Sequence, residues 1–350
     1  MKTLRSVVIL FFLSACIFHV HAQSFLPVAK VSADFKAMIE RPHVAFRPSF
    51  TNTKTDSVVI EKGSIYTEAN EKVPVLIYKP VKAGVSSFPV VICLHGTGGT
   101  KEGMEEFLIK LSKAGFMAVA IDARYHGERI KGGAHGSKEY ADAITKAWQN
   151  KYAAHQEHPF FYDTVFDLWR LTDYLITRPD VKADRIGMMG VSMGGIETWM
   201  AASVDPRIKV TVPIIAAQSF NWSLENNKWQ GRAGTIQATH QQAAKDLGDA
   251  AVNKENVKKV WDKVIPGITG EFDCPSMIRI FAPRPLLLLS NEKDLNCPLR
   301  GALLAFDAAT GAYRSKNALD KLKTNVTPNE PHRLTPGHVV MTVDWFVKWL

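Results

Sequence analysis

Gly190-Val191-Ser192-Met193-Gly194 sets one hydroxyl between small residues where an apolar run, 185–191, gives way to the helical pattern GIETWMAAS. Core packing gives no reason for a serine there. The G-x-S-x-G spacing between a strand and a helix has a chemical one: a sharp turn presents the hydroxyl for attack, and small neighbours let other backbone approach it. The helix that follows brings free amides and its positive dipole end beside Ser192. An ordinary N-cap serine is the competing reading.

A serine nucleophile needs amide donors for a developing oxyanion, a base and an orienting acid. His95-Gly96-Thr97-Gly98-Gly99 follows the apolar run 88–94 as an HGGG-type loop. It offers the N–H of Thr97 as one donor, with Gly96 and Gly98 lining the substrate, while Met193 after the serine offers the other. A phosphate loop fails on spacing, since the stretch matches neither G-x-G-x-x-G nor G-x-x-x-x-G-K-[ST]. His95 itself reads as packing beneath the loop. For the acid, Asp294 follows the apolar run 285–289; Glu292 is the nearest competitor, and Asp273 precedes that run. For the base, His332 sits in the loop before Thr335-Pro336, and His338 sits in the first turn of the helix those two residues begin. Loop placement lets an imidazole swing over the nucleophile, which favours His332 and leaves His338 as the alternative base or a surface residue.

Other chemistry-bearing groups have two readings each. Asp122, Arg124, His126 and Arg129 in AIDARYHGER form either a substrate contact or an internal salt-bridge cluster. Trp222, Trp229 and Trp261 either stack on a sugar or acyl group or pack a cover; Trp222 is taken as the substrate contact. His155 and His158 lack a third ligand nearby, so no metal site and no organic cofactor is expected.

These residues must be positioned by strands and helices that alternate along the chain. Apolar, β-rich runs occur at 57–61, 73–80, 88–96, 116–122, 185–192, 209–215 and 284–291. Several are apolar at consecutive positions, as strands covered on both faces are. Between them lie EEFLIKLSKAG, closed by Gly115, and TVFDLWRLTDYLITRPD, stopped before Pro179. A terminal helix from Pro336 carries Val339, Val343, Phe346 and Leu350 on one face. The alternation predicts an α/β fold with a doubly wound, mostly parallel sheet in a single domain, 56–350. Helical insertions near 127–160 and 217–283 would cover the site, and residues 23–55 read as an N-terminal arm.

Hydrophobic residues make up 46% and charged residues 22% of 350, which excludes disordered, collagen-like and coiled-coil classes. The formal charge of +9 is dispersed, and a nucleic-acid footprint needs clustering. Residues 1–22 read as a secretory signal, with Lys2 and Arg5 before an apolar run, which implies a secreted or periplasmic protein. Leu13-Ser14-Ala15-Cys16 is the second choice, a lipid anchor on Cys16. No other apolar stretch approaches the length of a membrane span. Cys93 reads as a buried small hydrophobe, and pairing of Cys274 with Cys297 stays open.

HGTGG, DARYHGER, RIGMMGVSMGG, APRPLLLLSNEKDLNCP and PHRLTP, in this order over residues 56–350, resemble the α/β-hydrolases of the dienelactone hydrolase and acetyl-xylan-esterase-like group. The resemblance implies a catalytic order Ser192, Asp294, His332, and a base preceding Thr-Pro and the closing helix. Serine stands where dienelactone hydrolases proper use cysteine, so lactone specificity is not carried over. The expectation is a serine carboxylester hydrolase acting on small or carbohydrate esters through an acyl-enzyme. Its alternatives are a prolyl-oligopeptidase-like serine peptidase, whose N-terminal propeller has no room here, and a non-catalytic carbohydrate-binding or scaffold protein.

Overall fold

The seven apolar runs form the buried strands of one nine-stranded sheet. The computed structural model describes residues 25–132 and 136–350; the expected signal segment and Cys16 lie outside them. The strands are β1 (Ser49–Lys54), β2 (Val58–Tyr66), β3 (Lys72–Pro80), β4 (Phe88–Leu94), β5 (Met117–Ile121), β6 (Val181–Val191), β7 (Ile208–Ile214), β8 (Leu286–Asn291) and β9 (Leu322–Thr327). Their order is β1-β2-β3-β5-β4-β6-β7-β8-β9. The first three and the β3–β5 pair are antiparallel; from β5 to β9 every pair is parallel.

The chain moves from β4 outward to β5, then returns to β6 on the other side of β4. Such a reversal opens a crevice outside the carboxyl ends of the parallel strands. The register brings those ends level, with Leu94 opposite Gly190, Val191 opposite Ile214 and Asn291 opposite Thr327. Loops leaving β4, β6, β8 and β9 therefore share one edge.

Helices cover both faces, which is why the central strands are apolar throughout. The α-helices in chain order are α1 (Val28–Ile39), α2 (Glu105–Lys113), α3 (Ser137–Gln149), α4 (Tyr162–Thr177), α5 (Met193–Val204), α6 (Phe220–Glu225), α7 (Gln230–Gly234), α8 (Gln237–Asp246), α9 (Lys254–Val264), α10 (Cys274–Met277), α11 (Leu299–Ser315) and α12 (Pro336–Trp349). Helices α2 and α12 bury Leu108, Leu111, Val339 and Phe346 on one face with Val91, Met189 and Leu287 of the sheet. Helices α1, α4, α5 and α11 bury Phe35, Leu171, Trp199 and Phe306 on the other with Val90, Ile92 and Met188. Burying each such side chain contributes about 1.5–3 kcal/mol. Helix α12 begins where Thr335 and Pro336 predict, with Thr335 as N-cap. The long insertions supply α3 and α6–α10, and α3 packs on α8 and α9.

Residues 25–54, read from sequence as an arm, are built into the domain. Val31, Phe35 and Ile39 of α1 are buried, and Phe35 meets Tyr162, Trp169 and Phe272 edge-on. Strand β1 pairs along β2 as an edge whose side chains are mostly exposed. No helix among the described residues is long and apolar enough to cross a membrane.

Candidate active site

Ser192 joins β6 to α5 with φ 55° and ψ −112°, a region of backbone space that side chains other than glycine's rarely occupy. The turn is held by Ser192 N–H donating to Ile214 O at 2.9 Å and Gly194 N–H donating to His95 O at 3.1 Å. Its glycines are sterically required. A Cβ on Gly190 would stand 2.2 Å from Gly194 O, one on Gly194 2.6 Å from His95 O, and one on Gly195 2.5 Å from Ala216 Cβ. Strain is thereby locked in where the hydroxyl must project.

The structure brings three of the expected residues into one hydrogen-bonded line. Ser192 Oγ lies 2.7 Å from His332 Nε2, and His332 Nδ1 lies 2.7 Å from Asp294 Oδ2. An ionised carboxylate only accepts, so Nδ1 carries the ring proton and Nε2 is left to accept from the serine hydroxyl. The other oxygen, Asp294 Oδ1, accepts from the amides of Asn296 and Cys297, both at 2.8 Å. The Asp294 side chain is 1% exposed and that of His332 20%, so the line runs from a buried acid to an accessible end.

His332 follows β9, a strand the apolar runs do not announce. Its loop is fixed by Asn291, the last residue of β8, whose side-chain N–H groups donate to Pro331 O at 2.6 Å and Arg333 O at 2.8 Å. Lys293 N–H also donates to Glu330 O at 2.8 Å, fastening the loop of Asp294 to that of His332. Sequence reasoning passed over Asn291; the available signal was an amide ending an otherwise apolar strand.

The competitors are engaged elsewhere. Glu292 Oε2 accepts from Asn329 N–H at 2.7 Å. Asp273 caps α10 and accepts from Ser219 Oγ at 2.5 Å and from the amides of Phe220 and Cys274 at 2.8 Å; burial pushes its carboxyl up to about 7. His338, expected as the alternative base or a surface residue, is buried. Its ring serves as the third-position partner in a capping box with Thr335, and its Nε2 meets Thr327 Oγ1 at 2.9 Å. Burial lowers its proton affinity below the ordinary histidine range.

Gly96 runs past Ser192, since a Cβ there would lie 3.5 Å from Ser192 Cβ. Gly98 has φ 78°, and Gly99 N–H donates to Gly96 O at 2.9 Å, closing the turn that carries Thr97. His95 is buried beneath this loop, with Nδ1 2.8 Å from Gly96 O and Nε2 accepting from Ala123 N–H at 3.1 Å. Met193 is the first residue of α5, where an amide has no intrahelical acceptor.

Trp222 on α6 lies against α11, where a Cβ on Gly301 would meet its ring at 3.3 Å, and Trp229 and Trp261 are buried in the cover. The AIDARYHGER residues form an internal ion network. Lys101 reaches Asp122 at 2.9 Å and Glu128 at 2.7 Å, while Arg124 at 2.8 Å and Arg129 at 2.7 Å converge on Asp167. Burial opposes ionisation of Asp167, but the two guanidinium groups outweigh it and hold the carboxyl far below the usual range. His158 Nδ1 lies 3.1 Å from Val264 O, and His155 is exposed.

Cys93, Cys274 and Cys297 are free. Among the described residues one group of three metal-capable atoms converges within 4.8 Å: Asp294, Cys297 and His332. All three are already hydrogen-bonded. Cys297 Sγ also accepts from the Arg232 guanidinium at 3.1 Å, a neighbour that opposes a cation.

The fold has known counterparts. Acetyl xylan esterase 1 from Thermoanaerobacterium sp. JW/SL YS485 superposes with TM-score 0.66 at 17% identity over 93% of this chain and 99% of that one. A glucuronoyl esterase from Solibacter usitatus does so with TM-score 0.60 at 15% identity, over 92% of each. These likenesses are of fold. In sequence, a Bacillus subtilis (strain 168) protein provisionally named as the hydrolase YtaP is 25% identical over 75% of this chain and 79% of its own length. Residues 73–265 match the dienelactone hydrolase family across more than half of the chain. With an α/β-hydrolase fold around that match, the chain is a hydrolase and belongs to the dienelactone hydrolase family.

Proposed function

We propose that the protein is a secreted serine carboxylesterase acting on short-chain acyl esters of carbohydrates. His332 takes the Ser192 proton as the oxygen attacks the ester carbonyl, and Asp294 holds the imidazole and balances its positive form. The amides of Met193 and Thr97 receive the oxyanion, in a site where fixed dipoles need no reorganisation. The proton passes to the leaving alcohol, an acyl-Ser192 remains, and water releases it by the same route. Every group required belongs to the chain.

The observation that carries this reading is the pair of 2.7 Å bonds running from Ser192 through His332 to Asp294. Carbohydrate esters are favoured by the acetyl xylan and glucuronoyl esterases that share the fold. Secretion rests on the signal pattern of residues 1–22.

The test is hydrolysis of p-nitrophenyl acetate through octanoate and of acetylated xylan by the protein and by Ser192→Ala. Turnover that falls by about 10⁴–10⁶ in the variant, greatest on acetate and present on the polymer, is the expected result. Equal inertness of both proteins on every ester would overturn it, and cleavage of peptides instead would make the protein a peptidase.

A further inference from the structure

We infer that Arg232 and Gln218 are positioning residues for Asp294, so that α7, a helix of the cover, belongs to the machinery of the acid. The inference rests on the Ser192–His332–Asp294 reading. Arg232 is 1% exposed, and burying a guanidinium is costly unless something specific repays it. Among the described residues it forms no salt bridge. Its partners are neutral: Nη2 donates to Cys297 Sγ at 3.1 Å, and, with the Gln218 amide assigned the one orientation that satisfies both its ends, Nε donates to the Gln218 side-chain oxygen at 3.0 Å. The Gln218 amide nitrogen in turn donates to the carbonyl of Asn296 at 2.5 Å.

Both routes end on the two residues that hold the acid. Asp294 Oδ1 accepts from the N–H groups of Asn296 and Cys297. The Asn296 carbonyl and the Cys297 N–H are opposite ends of a single peptide unit, which is planar and rigid. Gln218 pulling on the carbonyl therefore sets the direction of the N–H that meets Asp294. The second route fixes the same residue through its side chain, with Cys297 Sγ held between Arg232 and Ile215 O, to which it donates at 3.2 Å. Burial pushes the thiol up to about 12, so it stays protonated and able to donate. A third contact is steric. A Cβ on Gly231 would stand 2.1 Å from Leu295 O, so the backbone of α7 lies directly on the loop between Asp294 and Asn296.

Three neighbouring residues of the acid's loop are thus pinned by two consecutive residues of α7 and by Gln218. What this protects is the aim of the imidazole. If Asp294 tilts, Nδ1 loses its acceptor and Nε2 leaves Ser192 Oγ, and misplacement by about 1 Å costs about 10²-fold in rate. Loss of such outer partners costs about 10–100-fold where it has been measured at metal sites.

The experiment measures kcat and KM on p-nitrophenyl acetate, with Tm, for the full-length chain and for Gln218→Met, Arg232→Met and Arg232→Lys, each alone and combined with Asp294→Asn. Gln218→Met and Arg232→Met should lower kcat by about 10–100-fold at unchanged KM. Arg232→Lys, which keeps the charge and a single donor nitrogen but not the fork, should recover part of the loss. With Asp294→Asn the same substitutions should change kcat by less than about twofold, because the group they position is gone. An unchanged kcat in folded protein, or an equal loss in both backgrounds, would overturn the inference. Gln218→Met keeps side-chain length and packing, so the test survives if Arg232→Met fails to fold. Should Asp294→Asn and Ser192→Ala themselves remain active, the triad reading falls; if they are inactive while the Gln218 and Arg232 variants match wild type, only this inference does.

Discussion

Two groups of ionisable side chains stand at the carboxyl edge of the sheet, and they differ in closure. In the network behind β5, every cation meets more than one carboxylate. Lys101 has Asp122, Glu102 and Glu128; Arg124 has Asp167, Glu68 and Glu71; Arg129 has Asp167 and Glu71. Nothing in that ring is left to react. In the line from Asp294 through His332, each group has one partner ahead of it, and the last is a half-buried hydroxyl. A closed network stabilises and an open one can pass a proton. Both looked alike as motifs, because sequence lists charges without saying which are saturated.

The sharpest way to break the comparison is to remove one member of each group. His332→Gln keeps a polar side chain but cannot take a proton, and kcat should fall by about 10⁴ or more with Tm unchanged, read by ester hydrolysis and thermal unfolding. Asp167→Asn should do the reverse. It leaves Arg124 and Arg129 without their shared carboxylate, and stability should drop by about 3–5 kcal/mol, seen as a Tm lower by several degrees. The kcat of the protein that remains folded should stay within about twofold. A large loss of kcat in folded Asp167→Asn would give the network a part in the chemistry and dissolve the distinction.

The same contrast explains what could be read in advance. Most of the inner strands were legible because burial on both faces demands unbroken apolar runs, and the serine turn was legible because its glycines have no steric substitute. Strands β1 and β9 were not. They lie at the two edges of the sheet, their side chains are largely solvated, and SFTNTK and LKTNVT carry little apolar patterning. Helix α1 was missed because its buried stripe is only Val31, Phe35 and Ile39, set among prolines. The residues that aim the site, Asn291, Gln218 and Arg232, come from a strand, a loop and a helix far apart in the sequence and act on groups of other loops. No local spacing encodes that.

Acid sharpens the comparison further, because Asp167 and the buried histidines respond in different windows. Burial, joined by His95, holds His126 down to about 4, and burial holds His240 down to about 4. A histidine with its folded value depressed stays neutral while the unfolded chain takes up the proton. Stability is therefore complete above about pH 6.5 and falls through the window from 6.5 to 4, by up to about 3 kcal/mol for each group. Asp167, the carboxylate that Arg124 and Arg129 share, is held low and stays ionised across this window, so its two salt bridges give way only in stronger acid. Unfolding followed at pH 7, 5.5 and 4.5 should show Tm falling before Asp167 is titrated. His240→Gln, which stays neutral, should flatten part of that fall, whereas an unchanged pH slope in the variant would remove His240 from the account.

The smallest effect is the most discriminating for the base. His338 lies six residues after His332, but its ring is turned to the Thr335 amide and the Thr327 hydroxyl, and no hydrogen bond joins it to Ser192. His338→Gln retains an acceptor for the N-cap amide, since glutamine is itself a capping-box partner at this position, and gives up the fit to Thr327. Stability should fall by about 0.5–1.5 kcal/mol, the ordinary weight of one intramolecular hydrogen bond. The kcat should be that of wild type, against the loss of about 10⁴ in His332→Gln. If instead His338→Gln were inactive and His332→Gln active, the base would belong to the helix, and the 2.7 Å contact of His332 with Ser192 would be a structural bond with no part in catalysis.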